Sequence, residues 1–100
     1  MKVTLRYFDG CPNWRATGEM LAALGAQHGF GVVTERVETP EQADAIGFRG
    51  SPTVLIDGAD PFTDPTAPIG LACRVYRGPD GLIGAPTEPM LRAAFEAAAP

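Results

Sequence analysis

The stretch on which the fold depends reads FDGCPNW and runs from Phe8 to Trp14. It follows an apolar run at residues 3–8 that is rich in β-branched and aromatic side chains, which predicts a strand buried on both faces. Apolar side chains then recur at helical spacing over residues 13–28. Cys11 therefore lies at a strand-to-helix junction, directly before the predicted helix.

The composition indicates one ordered domain, residues 1–100, because 45% of the residues are hydrophobic and only 20% are charged. A net charge of −4 excludes nucleic acid and an anionic membrane surface as main partners, since both need a basic face. No apolar run approaches the length of a bilayer span. The first ten residues lack the apolar core and cleavage site of a signal peptide, so we expect a cytoplasmic protein.

The remaining elements are predicted in the order β-α-β-α-β-loop-β-β-α. Residues 32–38 alternate as in a strand, and the resulting β-α-β unit predicts two parallel strands with a right-handed crossover. Thr39 is the predicted N-cap of a short second helix. After a third strand, residues 59–72 form an insertion with three prolines, and two short strands and a helix follow.

Three stretches, FDGCPNW, GFRGSPTVLIDGADPF and CRVYRGPDGLIGAPT, resemble small bacterial thioredoxin-like proteins, often labelled alkylmercury lyase or (seleno)protein relatives. The resemblance runs from Lys2 to Ala99 and is broken at residues 59–72. It implies a three-layer α/β/α fold with a central mixed sheet of four or five strands and a proline-rich insertion before the last strands. It also implies a cis peptide bond before Pro52, opposite Cys11.

Cys11 is the candidate nucleophile, although Trp14 replaces the second cysteine of the thioredoxin Cys-x-x-Cys motif. A helix N-terminus offers unpaired N–H groups and the positive end of the helix dipole, and both favour a thiolate. Arg15 would add to this effect, whereas Asp9 would oppose it if it lies close. The alternative is a small buried cysteine at a turn.

The candidate substrate-binding residues flank this thiol in the chain or are placed opposite it by the resemblance. A cis bond before Pro52 would aim the backbone of Ser51 at the Cys11 sulfur, where a peptide-like or glutathione-like substrate can pair. The full candidate set is Pro12, Trp14, Ser51, Pro52 and Thr53. Trp14 is either a lid over the thiol or a core anchor.

Cys73 is the candidate resolving thiol. In a simple hairpin after the third strand it would lie at the far end of the sheet, more than about 7 Å from Cys11 at Cα, too far for a disulfide. The segment Ala59–Leu71, however, can span about 43–47 Å when extended. We therefore favour a chain that returns to Cys11, so that Cys73 can resolve a sulfenic acid or mixed disulfide.

Three functions fit these residues. The first is a thiol-redox or thiol-transfer protein that uses Cys11 and Cys73 on a small thiol, disulfide or soft-metal substrate. The second is an organomercurial lyase-like or mercury-binding protein, with Asp9 as proton donor beside the two thiols. The third is a non-catalytic binding module in which Cys11 is incidental. We predict no resident metal and no cofactor.

Overall fold

The computed structural model describes residues 1–98, so Ala99 and Pro100 of the predicted domain lie outside the described residues. The predicted order of elements is confirmed, with strands shorter than expected. The elements are β1 (Val3–Tyr7), α1 (Trp14–His28), β2 (Val32–Arg36), α2 (Pro40–Ile46), β3 (Thr53–Ile56), β4 (Tyr76–Gly78), β5 (Gly81–Ile83) and α3 (Glu88–Ala98).

Strand β1 is the centre of a three-stranded sheet with the order β2-β1-β3. It pairs with β2 in parallel, with Val3 opposite Val32, as the β-α-β unit predicts. It pairs with β3 antiparallel, with Val3 opposite Ile56. Val3 and Leu5 are fully buried, which agrees with the prediction of a central strand.

The predicted thioredoxin-like central sheet of four or five strands is wrong. Strands β4 and β5 pair only with each other in the described part of the chain, as a separate antiparallel two-stranded sheet. The fold is therefore a small mixed α/β arrangement of three helices, a three-stranded sheet and a two-stranded sheet.

The sequence after β3 explains why the segment directly following the turn does not continue as a strand beside it. Ile56 and Ala59 exchange both backbone hydrogen bonds across a two-residue turn, at 2.8 and 3.0 Å. In an antiparallel ladder the next hydrogen-bonded pair would place Val54 opposite Pro61. Proline has no backbone N–H to donate, so the pairing stops after one residue pair.

The main core lies between the sheet and the helices α1 and α3. Side chains that alternate along β1 and β3 point to the same face and meet apolar residues of both helices. The buried cluster consists of Val3, Leu5, Leu21, Leu24, Val54, Ile56, Leu91 and Phe95. A smaller cluster of Val37, Ala43 and Phe48 packs under α2.

The predicted cap of α2 is confirmed, and two helices end at glycines. Thr39 caps α2 by accepting a hydrogen bond from the Gln42 N–H at 3.0 Å. Gly29 and Gly47 end α1 and α2 in the left-handed conformation, which glycine adopts at least cost. Within residues 1–98, none of the helices has both the length and the apolar character needed to cross a membrane.

Truncation of the core should cost far more stability than truncation of the surface. Leu5→Ala leaves a cavity under the central strand and should lower the free energy of unfolding by about 2–5 kcal/mol. Leu82→Ala is the matched control, because Leu82 is 71% exposed, and should change it by less than about 0.5 kcal/mol. Urea titration of the oxidised proteins measures both, and equal losses would contradict the assigned core.

Candidate functional site

A disulfide joins Cys11 and Cys73, which are 62 positions apart in the sequence. Their Cα atoms lie 5.5 Å apart, within the range that disulfides span. This confirms the expectation that the insertion carries the chain back to Cys11. The strand expected to begin at Cys73 begins instead at Tyr76, so Cys73 belongs to the connecting segment.

Cys11 is held in the turn between β1 and α1 and is fully buried. Its N–H donates to the carbonyl of Phe8 at 3.3 Å. The N-cap of α1 is Asn13, which makes no side-chain capping bond, and the helix begins at Trp14. Cys11 therefore precedes the cap by two positions, and the favourable field of the helix end, which falls off within one turn, reaches it only weakly.

Ser51 connects the two cysteines through its backbone. Its N–H donates to the Ala72 carbonyl at 2.8 Å, and its carbonyl accepts from the Arg74 N–H at 2.9 Å, which forms a parallel bridge to Cys73. The same carbonyl oxygen lies 3.5 Å from the Cys11 sulfur. The peptide bond between Ser51 and Pro52 is cis, as the resemblance implies.

The close approach of these segments requires glycine at position 50. Gly50 has a φ of 111°, a conformation that side chains rarely adopt. A Cβ atom there would also lie 3.0 Å from the backbone of Arg74. Residues 72–74 can therefore lie against Ser51 only because the preceding residue has no side chain.

The groove predicted to receive substrate is occupied by the chain itself. Ser51, Pro52 and Thr53 are buried, and the backbone edge of Ser51 is paired with residues 72–74. The Thr53 hydroxyl donates to the Gly50 carbonyl at 2.6 Å, so it has a structural partner. The Ser51 hydroxyl is buried and has no hydrogen-bond partner in the part of the chain that the structure describes.

Arg74 fixes the insertion to the sheet, a role that the sequence analysis did not predict. Its side chain is only 3% exposed and pairs with Asp60 at 2.6 Å. It also donates to the Phe62 carbonyl at 2.5 Å and to the Thr53 hydroxyl at 3.3 Å. Hydrophobic alternation does not indicate this role, because it would bury Cys73 and Val75, whereas Arg74 and Tyr76 are the buried residues.

Tyr76 also fixes this segment, next to the start of β3. Its hydroxyl donates to the Pro52 carbonyl, and its ring meets Phe62 edge-on with centroids 5.5 Å apart. Burial raises the pKa of the Tyr76 phenol above its ordinary value. Phe62 also packs against the main core and so anchors the insertion.

Trp14 is an anchor between the turn and the core. Its ring stacks on Tyr7 with centroids 3.9 Å apart and packs against the main cluster. The Arg15 guanidinium lies 4.9 Å from the Trp14 ring centre. Of the candidate substrate-binding residues, Pro12 is the exposed one.

Asp9 lies at the surface in an ion pair. Its carboxylate accepts from Arg36 at 3.2 Å, and Arg36 also pairs with Glu38 at 2.7 Å. The hydrogen bond and charge of Glu38, followed by the charge of Asp9, raise the pKa of the Arg36 guanidinium. The structure thus places the predicted proton donor beside an arginine.

The turn that carries Cys11 is also fixed to the second sheet. The Asn13 amide donates to the Gly84 carbonyl at 3.4 Å, across 71 positions of sequence. A Cβ atom at Gly84 would lie 2.4 Å from the Asn13 amide nitrogen, so a side chain there would turn the Asn13 amide away and break this contact. Sequence patterns near Cys11 do not indicate it.

Among residues 1–98, no group of three or more histidine, cysteine, aspartate or glutamate side chains converges as a metal-binding cluster. Neither a known protein family nor a curated protein or solved structure matches the chain.

Loss of the charge on Asp60 should destabilise the fold because Arg74 would remain buried without its ionic partner. Asp60→Asn keeps the shape of the side chain and should cost on the order of 3 kcal/mol. Glu88→Gln is the matched control, since it removes a carboxylate from the exposed pair with Arg92 and should cost less than about 0.5 kcal/mol. Chemical denaturation measures both values, and a similar cost for the two would contradict the role of Arg74.

Tyr76 should make the protein lose stability in alkaline solution. Its phenol is neutral in the fold, so its contribution is complete below the pKa of an unfolded tyrosine, about 10, and is lost as the pH rises above it. Tyr76→Phe should cost about 1 kcal/mol at pH 7 by leaving the Pro52 carbonyl without its donor. We expect a smaller alkaline loss in this variant than in the wild type.

Urea titration at pH values from about 8 to 11 tests this prediction, because that range spans the titration of an unfolded tyrosine. Tyr7→Phe is the control and should keep the alkaline loss of the wild type. Parallel curves for the wild type and Tyr76→Phe would show that Tyr76 does not cause it.

Proposed function

We propose that the protein is a thiol–disulfide exchange protein that cycles between a Cys11–Cys73 disulfide and the corresponding dithiol. The observation that supports this most directly is a pair of cysteines joined across 62 positions, with Cys73 exposed to solvent. Exchange requires access of a thiolate to one sulfur of the bond. An exposed half-cystine supplies that access, whereas a purely structural disulfide needs none.

The proposed site is similar to that of thioredoxin-like proteins, although the sheet is not. A cysteine before a helix and a proline opposite it are the features that the two share. Trp14 stands where the second thiol of a Cys-x-x-Cys motif would be, and Cys73 supplies that thiol from the far end of the insertion. A relationship to small bacterial thioredoxin-like proteins is part of this proposal.

The partner in this cycle is a disulfide or thiol. The dithiol gives two electrons to a partner disulfide, which leaves as two thiols while Cys11 and Cys73 become joined. We assign the cycle to a reducing cytoplasm, where cellular thiols would return the protein to its dithiol form. A net charge of −4 supports a partner other than nucleic acid or membrane.

The two alternative functions have less support from the site. The organomercurial lyase-like mechanism needs Asp9 as a proton donor beside the thiols, and the Asp9 carboxylate is instead ion-paired with Arg36. A non-catalytic binding module has no need of paired cysteines.

The cycle predicts an intramolecular product. Reduced wild-type protein treated with glutathione disulfide should lose about 2 Da and retain no adduct, because the second thiol displaces glutathione. Cys11→Ser and Cys73→Ser should each stop as a glutathione adduct, and the double variant should remain unmodified. Intact-protein mass spectrometry under native conditions measures all four.

A reduction potential adds a quantitative criterion. Equilibration with glutathione or dithiothreitol buffers should give a value above about −300 mV, since structural disulfides lie below it. A disulfide that is reduced only after the protein is unfolded would overturn the proposed function.

A further inference from the structure

Cys11, the buried half of the disulfide, is shielded from outside reagents. Cys11 is fully buried, and the backbone edge of Ser51, where an extended substrate would pair, is taken by residues 72–74. Arg74 and Tyr76 fix that segment through bonds to Asp60 and to the Pro52 carbonyl. These bonds do not involve the disulfide, so its reduction leaves the segment attached.

Cys73, the other half of the disulfide, lies on the solvent-facing side of its segment. Cys73 is exposed, and so are Val75 and Arg77, whereas the intervening Arg74 and Tyr76 are buried. Side chains alternate between two faces along an extended segment. Cys73 therefore belongs to the solvent-facing side of this segment, and its sulfur is bonded to that of the buried Cys11.

After reduction, the surroundings of Cys11 disfavour a thiolate and those of Cys73 favour one. Burial disfavours a thiolate at Cys11. The Ser51 carbonyl, 3.5 Å from its sulfur, can accept a hydrogen bond from a thiol but repels a thiolate. Cys73 at the surface has water to solvate its charged form. The thiolate, which is the attacking species, is thus favoured at Cys73.

We infer, on the basis of the proposed function, that Cys73 is the thiol that exchanges with substrate and that Cys11 is the internal resolving thiol. This reverses the order expected from the position of Cys11 before a helix. The substrates are low-molecular-weight disulfides and thiols, because the backbone edge that would bind an extended peptide is occupied.

The cycle balances as two thiol–disulfide exchanges. The Cys73 thiolate attacks a disulfide RSSR, forms the mixed disulfide Cys73–S–S–R and releases RS⁻, which takes up a proton. The Cys11 thiol then loses its proton and attacks the Cys73 sulfur, so that the protein disulfide forms and a second RS⁻ leaves. RSSR is reduced by two electrons and the dithiol is oxidised by two. A small thiol reverses the cycle by attacking Cys73, with Cys11 as the leaving group.

Single-cysteine variants measure the difference between the two thiols. At pH 7, Cys11→Ser, which retains Cys73, should react with glutathione disulfide at least about tenfold faster than Cys73→Ser, which retains Cys11. In denaturant the two rates should converge, since the difference comes from the fold. Equal rates in the native state, or a faster Cys73→Ser variant, would overturn the inference.

The oxidised wild type gives a second measurement that does not depend on the variants folding. A short exposure to glutathione, an acid quench, alkylation and tryptic digestion should place glutathione on the peptide Gly50–Arg74 and the alkyl group on Tyr7–Arg15. The opposite distribution would overturn the order of the thiols while leaving the proposed function intact. Resistance to reduction in the folded state would instead overturn the proposed function itself.

The substrate class has its own readout. Reduced wild-type protein should react with the disulfides of insulin no faster than with glutathione disulfide, because no free edge binds the longer chain. A faster reaction with insulin would overturn the assignment to small substrates.

Discussion

The backbone hydrogen bonds between Ser51 and residues 72 and 74 are the contact on which the rest of the site depends. They bring the end of the insertion to the residue that touches the Cys11 sulfur, so Cys73 arrives at a bonding distance. The disulfide then closes a loop across 62 positions, which in a chain-entropy model disfavours the unfolded chain by about 4 kcal/mol. The contact that forms the site therefore also lets the disulfide stabilise the fold.

A buried cation and a buried phenol keep this contact in place when the disulfide opens. Arg74 is satisfied by a carboxylate, a carbonyl and a hydroxyl, so its burial does not leave an unpaired charge. Tyr76 supplies the donor for the Pro52 carbonyl. Arg74 donates to the Thr53 hydroxyl and Tyr76 to the Pro52 carbonyl, so both side chains point toward the start of β3. The alternate residues of the segment, Cys73 among them, are therefore the exposed ones.

Local signals in the sequence predicted the local structure, and long-range contacts account for what they missed. The helix signal at Thr39 and the parallel pairing of β1 with β2 are confirmed. The disulfide was expected from the length of the insertion alone. The sheet was overestimated because the resemblance implied that the last strands join it, whereas β4 and β5 pair only with each other in the described part of the chain. The role of Arg74 depends on Asp60 and Phe62, whose positions no periodic pattern indicates.

The contact between Asn13 and Gly84 has a consequence for how this sequence can vary. A side chain at position 84 would meet the end of the Asn13 side chain, and Asn13 lies in the turn that carries Cys11. Because that side chain can rotate away, a change at Gly84 would cost the hydrogen bond between the two residues and not the fold. Position 84 can therefore vary with the loss of one link to this turn, although 71 positions separate the two residues.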